Sequence, residues 1–128
     1  MPEPLLVVTT LKVKAGMAEK LREYYRRILE IVETNEPRVI AFHGFLNEEE
    51  TELTSIQVHP DAESMAWHMQ VLADNWDESF SQYAEMLQTT GIDYYGTAPQ
   101  SALDFDAGGK YPVGLKPRHV AGFTRSSA

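Results

Sequence analysis

LLVV at residues 5–8 and VIAF at residues 39–42 are the stretches that decide the fold. A β-sheet with one face in water alternates apolar with polar residues, whereas both of these stretches are apolar at successive positions. Strands of this kind present apolar side chains on both faces of a sheet. The chain has helices enough to cover only one face, so we expect a second copy of the chain to cover the other.

The hydrophobic pattern predicts six elements in the order β-α-β-β-α-β. Apolar residues at helical spacing predict the helices. Pro37 is expected to end the first helix, because a proline disfavours the helical backbone conformation of the residue before it. Asp61 is the expected N-cap of the second helical stretch. In chain order we expect a strand at 5–14, a helix at 17–35, strands at 38–46 and 52–59, helical pieces at 62–72 and 75–87, and a strand at 89–97.

This order predicts an α+β fold of the ferredoxin-like type, with both helical stretches on one face of the sheet. In the first strand the odd positions are expected to face the helices. The second and third strands should form an antiparallel hairpin in which opposed residue numbers sum to about 98, so that His43 lies close to Ser55. Two copies packed sheet to sheet would form a dimeric α+β barrel.

The C-terminal part of the chain differs in composition from the rest. Proline and glycine are frequent in residues 98–114, which predicts an irregular arm, and residues 118–124 are a candidate fifth strand. We therefore divide the chain into a ferredoxin-like domain at 1–97 and an arm at 98–128. The arm is expected to pack on the partner subunit.

Charge and composition exclude several kinds of partner. The net charge of −8 argues against nucleic acid, because phosphate binding requires clustered Lys and Arg. Thirteen Asp and Glu and no Lys or Arg lie between Arg38 and Lys110, whereas the last nineteen residues hold four basic residues and no acid. The absence of cysteine excludes disulfides and thiolate chemistry. We expect neither a signal peptide nor a membrane span, and a cytoplasmic location.

Two local sequences, VKAG at residues 13–16 and AESMAWHM at residues 62–69, together with the β-α-β-β-α-β order, resemble the antibiotic biosynthesis monooxygenase-like family. The resemblance covers about residues 5–97 and implies a dimeric α+β barrel. It also implies a cofactor-free monooxygenase acting on an aromatic polyketide or a quinol-like molecule. The haem-degrading branch of the family uses an Asn, a Trp and a His, where this chain has Thr9, His59 and His68, so it departs at two positions of three.

His68 is the main candidate for chemistry, because a histidine on a helix flanked by apolar residues can act as a general base or as a hydrogen-bond donor. The alternative is a structural histidine satisfied by a backbone carbonyl. His59 is the second catalytic candidate, although it can also simply end its strand. His43 faces either the cavity or the dimer interface. No spacing typical of a metal site or a nucleotide site is present, so we expect neither a metal nor a cofactor.

A small-molecule pocket is expected between the sheet and the second helical stretch. Thr9, Ser55, Gln57 and His59 would form a polar strip beneath an apolar lid, an arrangement typical of ligand sites. The alternative is that the lid residues are ordinary core. The lid comprises Met65, Met69, Leu72, Trp76 and Phe80, and Trp67 and Tyr94 are further candidates for substrate contact.

Several functions are compatible with these residues. The first is a cofactor-independent oxygenase, and the second is a non-catalytic ligand-binding or structural dimeric barrel. An isomerase or decarboxylase would use the same base and donor as the oxygenase. Haem binding through His68 is a further alternative.

Overall fold

The computed structural model describes residues 3–76 and 82–125. Within these ranges the chain is α+β and ferredoxin-like, as the element order predicted. Its elements are β1 (Leu5–Val13), α1 (Ala18–Asn35), β2 (Ala41–Leu46), β3 (Glu52–His59), α2 (Ala62–Asp74), α3 (Tyr83–Met86), β4 (Leu87–Tyr95), α4 (Gln100–Ala107) and β5 (Val113–Lys116).

The five strands form one sheet in the order β2-β3-β1-β4-β5. The first four strands are antiparallel to their neighbours, and β5 runs parallel to β4. Among the described residues no helix combines the length and the apolar character needed to cross a bilayer.

The core lies between the helices and one face of the sheet. On β1 the buried residues are at the odd positions, including Leu5, Val7 and Leu11, which confirms the predicted parity. Helix α1 places Leu21 against this face through its apolar stripe. Asp61 caps α2, since its carboxylate accepts a hydrogen bond of 3.0 Å from the Ser64 amide.

The other face of the sheet is covered by nothing in the described part of the chain. Leu6 and Val8 of β1 lie on it and are only half-buried. Phe45 of β2 is 59% exposed on the same face. This face therefore matches the uncovered apolar surface that the strand sequences predicted.

The C-terminal arm differs from the prediction. Residues 98–114 were expected to be irregular, but they contain helix α4, and the fifth strand lies at Val113–Lys116 rather than at 118–124. Pro99 and Gly108 flank α4, so they mark the start and end of a helix instead of an irregular segment. A Cβ at Gly114 would lie 2.1 Å from Oδ1 of the paired Asp93, so a larger residue there would require the Asp93 side chain to move.

Two further expectations need correction. The second piece of the second helical stretch was predicted at 75–87, but the described part has a helix only at Tyr83–Met86, and β4 already begins at Leu87. Phe80 lies outside the described residues. In the β2–β3 hairpin the paired numbers sum to 99, so His43 faces Ile56 rather than Ser55. The Asn47 side chain fixes this register by accepting hydrogen bonds from the Thr51 and Glu52 amides.

Candidate functional site

A cavity of about 550 Å³ lies between the helices and the helix-facing side of the sheet. Such a volume suits a small organic molecule. Apolar and aromatic side chains form most of its wall. They include Leu11, Tyr24, Ile28, Phe42, Leu53, Met65, Met69, Leu72, Trp76, Leu87, Ile92 and Phe105.

The floor of the cavity is set by the strand register. Val7 of β1 pairs with Gln57 of β3 on one side and with Tyr94 of β4 on the other. Because adjacent strands lie about 4.8 Å apart, the Cα atoms of Gln57 and Tyr94 are separated by roughly 10 Å. Thr9 occupies the middle strand in a neighbouring row. The floor thus carries polar groups at two ends of one row.

A buried carboxylate–imidazole pair stands at one end of the cavity. Nδ1 of His68 lies 3.0 Å from Oε1 and 2.9 Å from Oε2 of Glu36, and both side chains are buried. Glu36 follows the last residue of α1, where its backbone N–H donates to the Val32 carbonyl and so fixes its position. The carboxylate accepts from Nδ1, so Nδ1 of His68 carries a proton.

The second ring nitrogen of His68, Nε2, is the atom left for a ligand. It has no partner in the described part of the chain and is not sealed from solvent, and His68 borders the cavity. A neutral imidazole with Nδ1–H held by a carboxylate presents a lone pair at Nε2, and the same carboxylate stabilises the imidazolium formed when Nε2 takes a proton. The pair is therefore equipped to act as a general base.

A chain of hydrogen bonds lies beside this pair. His59 accepts from Ser64 Oγ at Nδ1 (2.8 Å) and donates from Nε2 to Gln57 Oε1 (2.9 Å). Burial, with the neighbouring His68 as a smaller cause, lowers the pKa of His59 to about 4, against an opposing effect of Asp61. His59 is therefore neutral near pH 7. Because Gln57 accepts through its oxygen, its amide nitrogen is left to donate into the cavity that the side chain borders.

A phenol–hydroxyl pair adds a further polar group. Tyr25 of α1 reaches Ser55 of β3, with 2.9 Å between the two hydroxyl oxygens. Gly44, which pairs with Ser55, makes this possible, because a Cβ at that position would lie 2.5 Å from the Tyr25 ring. Burial raises the pKa of Tyr25, and its hydrogen bond with Ser55 opposes that rise. The Tyr25 phenol therefore stays protonated.

The C-terminal segment supplies a second polar cluster at the Tyr94 end. Asp106 of α4 is buried and accepts hydrogen bonds from Tyr94 at Oδ2 and from Tyr111 at Oδ1, the latter at 2.7 Å. Burial and the adjacent carboxylate both raise the pKa of each of the two tyrosines, so both phenols remain donors. All three residues border the cavity.

Most of the predicted site residues meet around this cavity. Three of them lie elsewhere. His59 is buried next to Gln57 without lining the cavity. Trp67 is exposed and donates a hydrogen bond of 2.9 Å from Nε1 to the Asn35 carbonyl, and His43 is exposed on the uncovered face of the sheet. The predicted residues that line the cavity are Thr9, Gln57, His68, Met69, Leu72, Trp76 and Tyr94.

The sequence reasoning missed Glu36, Tyr25, Asp106 and Tyr111. Glu36 was taken only as part of the helix end. Its position immediately before Pro37 gave one signal, since an acidic residue at a fixed helix end is well placed to contact a neighbouring element. No local pattern marked Asp106, because its partners Tyr94 and Tyr111 belong to other elements. In the described ranges no three acidic or histidine side chains converge as metal ligands.

Other proteins of known structure share this architecture. No protein-family description matches the chain, and no curated protein matches it. Solved structures do match: MupZ from Pseudomonas fluorescens has a TM-score of 0.72 at 16% identity, over 98% of this chain and 98% of its own.

Two other matches carry functional descriptions. A proposed antibiotic biosynthesis monooxygenase from Caulobacter crescentus CB15 has a TM-score of 0.63 at 16% identity, over 77% of this chain and 92% of its own. SnoaB, a cofactor-independent oxygenase from Streptomyces nogalater, has a TM-score of 0.60 at 10% identity, over 76% of this chain and 95% of its own. At these identities the likeness shows the fold, and the fold of this chain is that of the antibiotic biosynthesis monooxygenase-like proteins.

Proposed function

We propose that the protein is a cofactor-independent monooxygenase acting on an uncharged aromatic molecule of the polyketide or quinol type. The observation that carries this proposal is the buried Glu36–His68 pair, whose His68 ring borders a largely apolar cavity. A base in a dry pocket, beside groups able to stabilise an oxyanion, is what this chemistry requires of a protein. The shared fold with SnoaB, a cofactor-independent oxygenase, supports the same reading.

The reaction begins with proton removal. Nε2 of His68 takes a proton from a hydroxyl or an acidic ring methylene of the substrate, and Glu36 stabilises the resulting imidazolium. The substrate anion then supplies the electrons that reduce oxygen. For a methylene the balanced outcome is R₂CH₂ + O₂ → R₂C=O + H₂O, in which one oxygen atom enters the product and the other leaves as water.

Polar groups near the base support the developing negative charge. The Gln57 amide nitrogen is free to donate, and the Tyr25–Ser55 pair contains one further hydroxyl hydrogen that is not fixed between the two oxygens. Donors held in place before the reaction stabilise an oxyanion more effectively than water, because they do not have to reorganise.

The wall of the cavity supports an aromatic, uncharged substrate. Phe42, Trp76 and Tyr24 offer ring faces and edges to a flat molecule. No Lys or Arg side chain lines the cavity in the described part of the chain, so an anionic head group would be desolvated there without a partner.

Oxygen consumption with 1,8-dihydroxyanthrone, a hydroxylated aromatic with an acidic ring methylene, tests the proposal. We expect one O₂ consumed per methylene oxidised, with His68→Ala inactive but still folded. An unchanged rate in His68→Ala would contradict the role of His68. If neither this probe nor related quinols are turned over or bound, the non-catalytic alternative is favoured.

A second candidate function is proton transfer without oxygen, as in an isomerase. One observation favours it: the buried Glu36–His68 pair can remove a proton and return it at another atom without an oxidant, and hydrogen-bond donors border the same cavity. Incubation of a phenolic ketone in D₂O without oxygen distinguishes the two functions, because an isomerase would exchange carbon-bound hydrogen for deuterium under these conditions.

We further propose that the working form is a homodimer closed through the uncovered face of the sheet. The half-buried side chains of Leu6 and Val8 and the exposed Phe45 form an apolar surface that a second copy can cover in a two-fold arrangement. Native mass spectrometry tests this proposal directly. A monomer at micromolar concentration would contradict it.

A further inference from the structure

We infer that Asp106 forms a second binding station in the cavity, which accepts a hydrogen bond from a hydroxyl group of an uncharged substrate and so orients the substrate between Asp106 and His68. This inference deepens the proposed function, and it rests on that function only for the identity of the reacting end. The substrate class that follows is an elongated molecule with hydroxyl groups at opposite ends.

The Asp106 side chain is placed to accept a further hydrogen bond. It is buried in the wall of the cavity, and its hydrogen-bond partners are two phenols rather than a cation. No salt bridge to Asp106 occurs in the described ranges. Burying a carboxylate without a cation costs free energy, and two neutral hydrogen-bond donors offset that cost only in part. Each carboxylate oxygen retains a further lone pair for a donor from the cavity.

The charge of the surroundings also favours a hydroxyl donor at Asp106. The cavity wall offers no Lys or Arg in the described part of the chain, so the field at this end is set by Asp106. A ligand hydroxyl is attracted to such a carboxylate, whereas a ligand carboxylate is repelled. The station therefore selects a donor and rejects an anion.

The distance between the two ends of the cavity suits one elongated ligand. His59, whose ring centroid lies 6.1 Å from that of His68, is bound to Gln57, and Asp106 is bound to Tyr94. Gln57 and Tyr94 lie in one row of the sheet with Val7 between them. Their Cα atoms are roughly 10 Å apart. A molecule of two or three fused rings spans such a distance, so one ligand can reach both ends.

The chain around Asp106 is arranged to hold this cluster. A Cβ at Gly109 would lie 2.1 Å from the Tyr111 ring, so the glycine allows the ring to fold back toward Asp106. Residues 100–111 thereby bring a carboxylate and a phenol to a cavity whose floor is built by the sheet.

Binding of three naphthalene probes to the full-length wild-type protein provides the test. The probes are 2,6-dihydroxynaphthalene, with hydroxyls at opposite ends, 2-naphthol, with one hydroxyl, and 6-hydroxy-2-naphthoate, with one hydroxyl replaced by a carboxylate. Isothermal titration calorimetry should show the diol binding about tenfold more tightly than 2-naphthol, the gain for a hydrogen bond to a charged group. The naphthoate should bind more weakly than either. Equal affinity for the diol and 2-naphthol would overturn the inference without any variant.

Variants assign the effect to Asp106. In Asp106→Asn we expect the preference for the diol over 2-naphthol to disappear and binding of the naphthoate to improve. Asp104→Asn is the matched control, because Asp104 is exposed on the same helix and accepts a hydrogen bond from Gln100, and it should retain the preference. A diol preference that persists in a folded Asp106→Asn protein would overturn the inference.

Further variants keep the test decisive. If Asp106→Asn does not fold, Tyr111→Phe replaces it: this change frees Oδ1 of Asp106 and should strengthen diol binding. Unchanged or weaker diol binding in Tyr111→Phe would count against the station. His68→Ala separates this inference from the proposed function, since it should lose turnover yet still bind the diol more tightly than the double variant His68→Ala with Asp106→Asn. Equal affinities of these two variants for the diol would contradict a station at Asp106.

Discussion

Glu36 and His68, thirty-two residues apart in the sequence, are joined by a contact of 2.9 Å between the carboxylate Oε2 and the imidazole Nδ1. The carboxylate comes from the end of α1 and the ring from the middle of α2, and both are buried. The contact fixes the orientation and tautomer of His68. It also supplies the negative charge that stabilises the protonated ring.

The role of this contact can be tested at Glu36. We expect Glu36→Gln to lower the turnover of 1,8-dihydroxyanthrone by about 10- to 100-fold, the usual effect of removing a partner that orients a functional histidine. The pH–rate profile should also change, because the charge that stabilises the imidazolium is removed. Steady-state oxygen uptake across pH 5 to 9 measures both effects, in buffers chosen at roughly unit intervals.

Glu33→Gln is the matched control for that experiment, since Glu33 is an exposed acid on the same helix. It should leave both the rate and the pH profile unchanged. Equal effects of the two substitutions would indicate that only the general acidity of the surface matters, and the proposed pairing would have to be abandoned.

His59 predicts a dependence of stability on pH. Its pKa is about 4 in the folded protein against 6.5 ordinarily, so the unfolded chain binds more protons between these values. The stabilising effect is complete above pH 6.5 and is lost as the pH falls through 4, by up to about 3 kcal/mol. Urea unfolding at pH 7 and at pH 4.5 measures the loss.

The contribution of His59 is isolated by comparison with His59→Asn, which cannot titrate in this range. His68 and Asp61 are the titratable neighbours that affect His59, and both remain in the variant. The difference in free energy of unfolding between wild type and variant should shrink as the pH is lowered. Parallel curves would show that His59 does not titrate on unfolding.

Gly44 predicts a packing effect. A Cβ in Gly44→Ala would lie 2.5 Å from Cε1 of Tyr25, so the ring must move away from Ser55. We expect a loss of about 1–3 kcal/mol in unfolding free energy, as for other overpacked sites. Gly91→Ala is the control, because its nearest atom would be 3.8 Å away. Similar stabilities of the two variants in urea unfolding would contradict this account of the Tyr25 position.

The last segment predicts an effect on assembly. Val120 is 97% exposed and Phe123 is 84% exposed, within a stretch that carries basic residues on an otherwise acidic chain. We propose that this stretch packs on the partner subunit, where both apolar side chains would be covered. Deletion of residues 117–128 leaves α4 and β5 in place and should weaken the dimer about tenfold or more, for loss of two apolar anchors.

Sedimentation equilibrium of the truncated and full-length chains measures that change. The double variant Val120→Ser with Phe123→Ser should reproduce most of it, which separates apolar contact from charge. Equal dissociation constants for all three proteins would mean that the segment does not contribute to the dimer.

Local patterns were sufficient to predict much of the fold. The bounds of β3 at Glu52–His59, the odd-position core of β1 and the cap at Asp61 follow from alternation, spacing and capping chemistry, which act over a few residues. The same patterns predicted that His68, Gln57 and Thr9 share one surface. Proline and glycine in the arm were misread, because the same residues that break regular structure also flank a helix.

The partners of the site depended on tertiary structure. Trp67 and His68 are consecutive on α2, and only the packing of that helix decides that His68 is buried while Trp67 is exposed. Glu36 meets His68, and Asp106 meets Tyr94, because separate elements are packed together. The sequence by itself determined the strands and helices of residues 5–74 and which of their faces are apolar, since these are short-range properties. Only the tertiary structure decided which charged and polar groups share a cavity, because those contacts join residues that no local pattern relates.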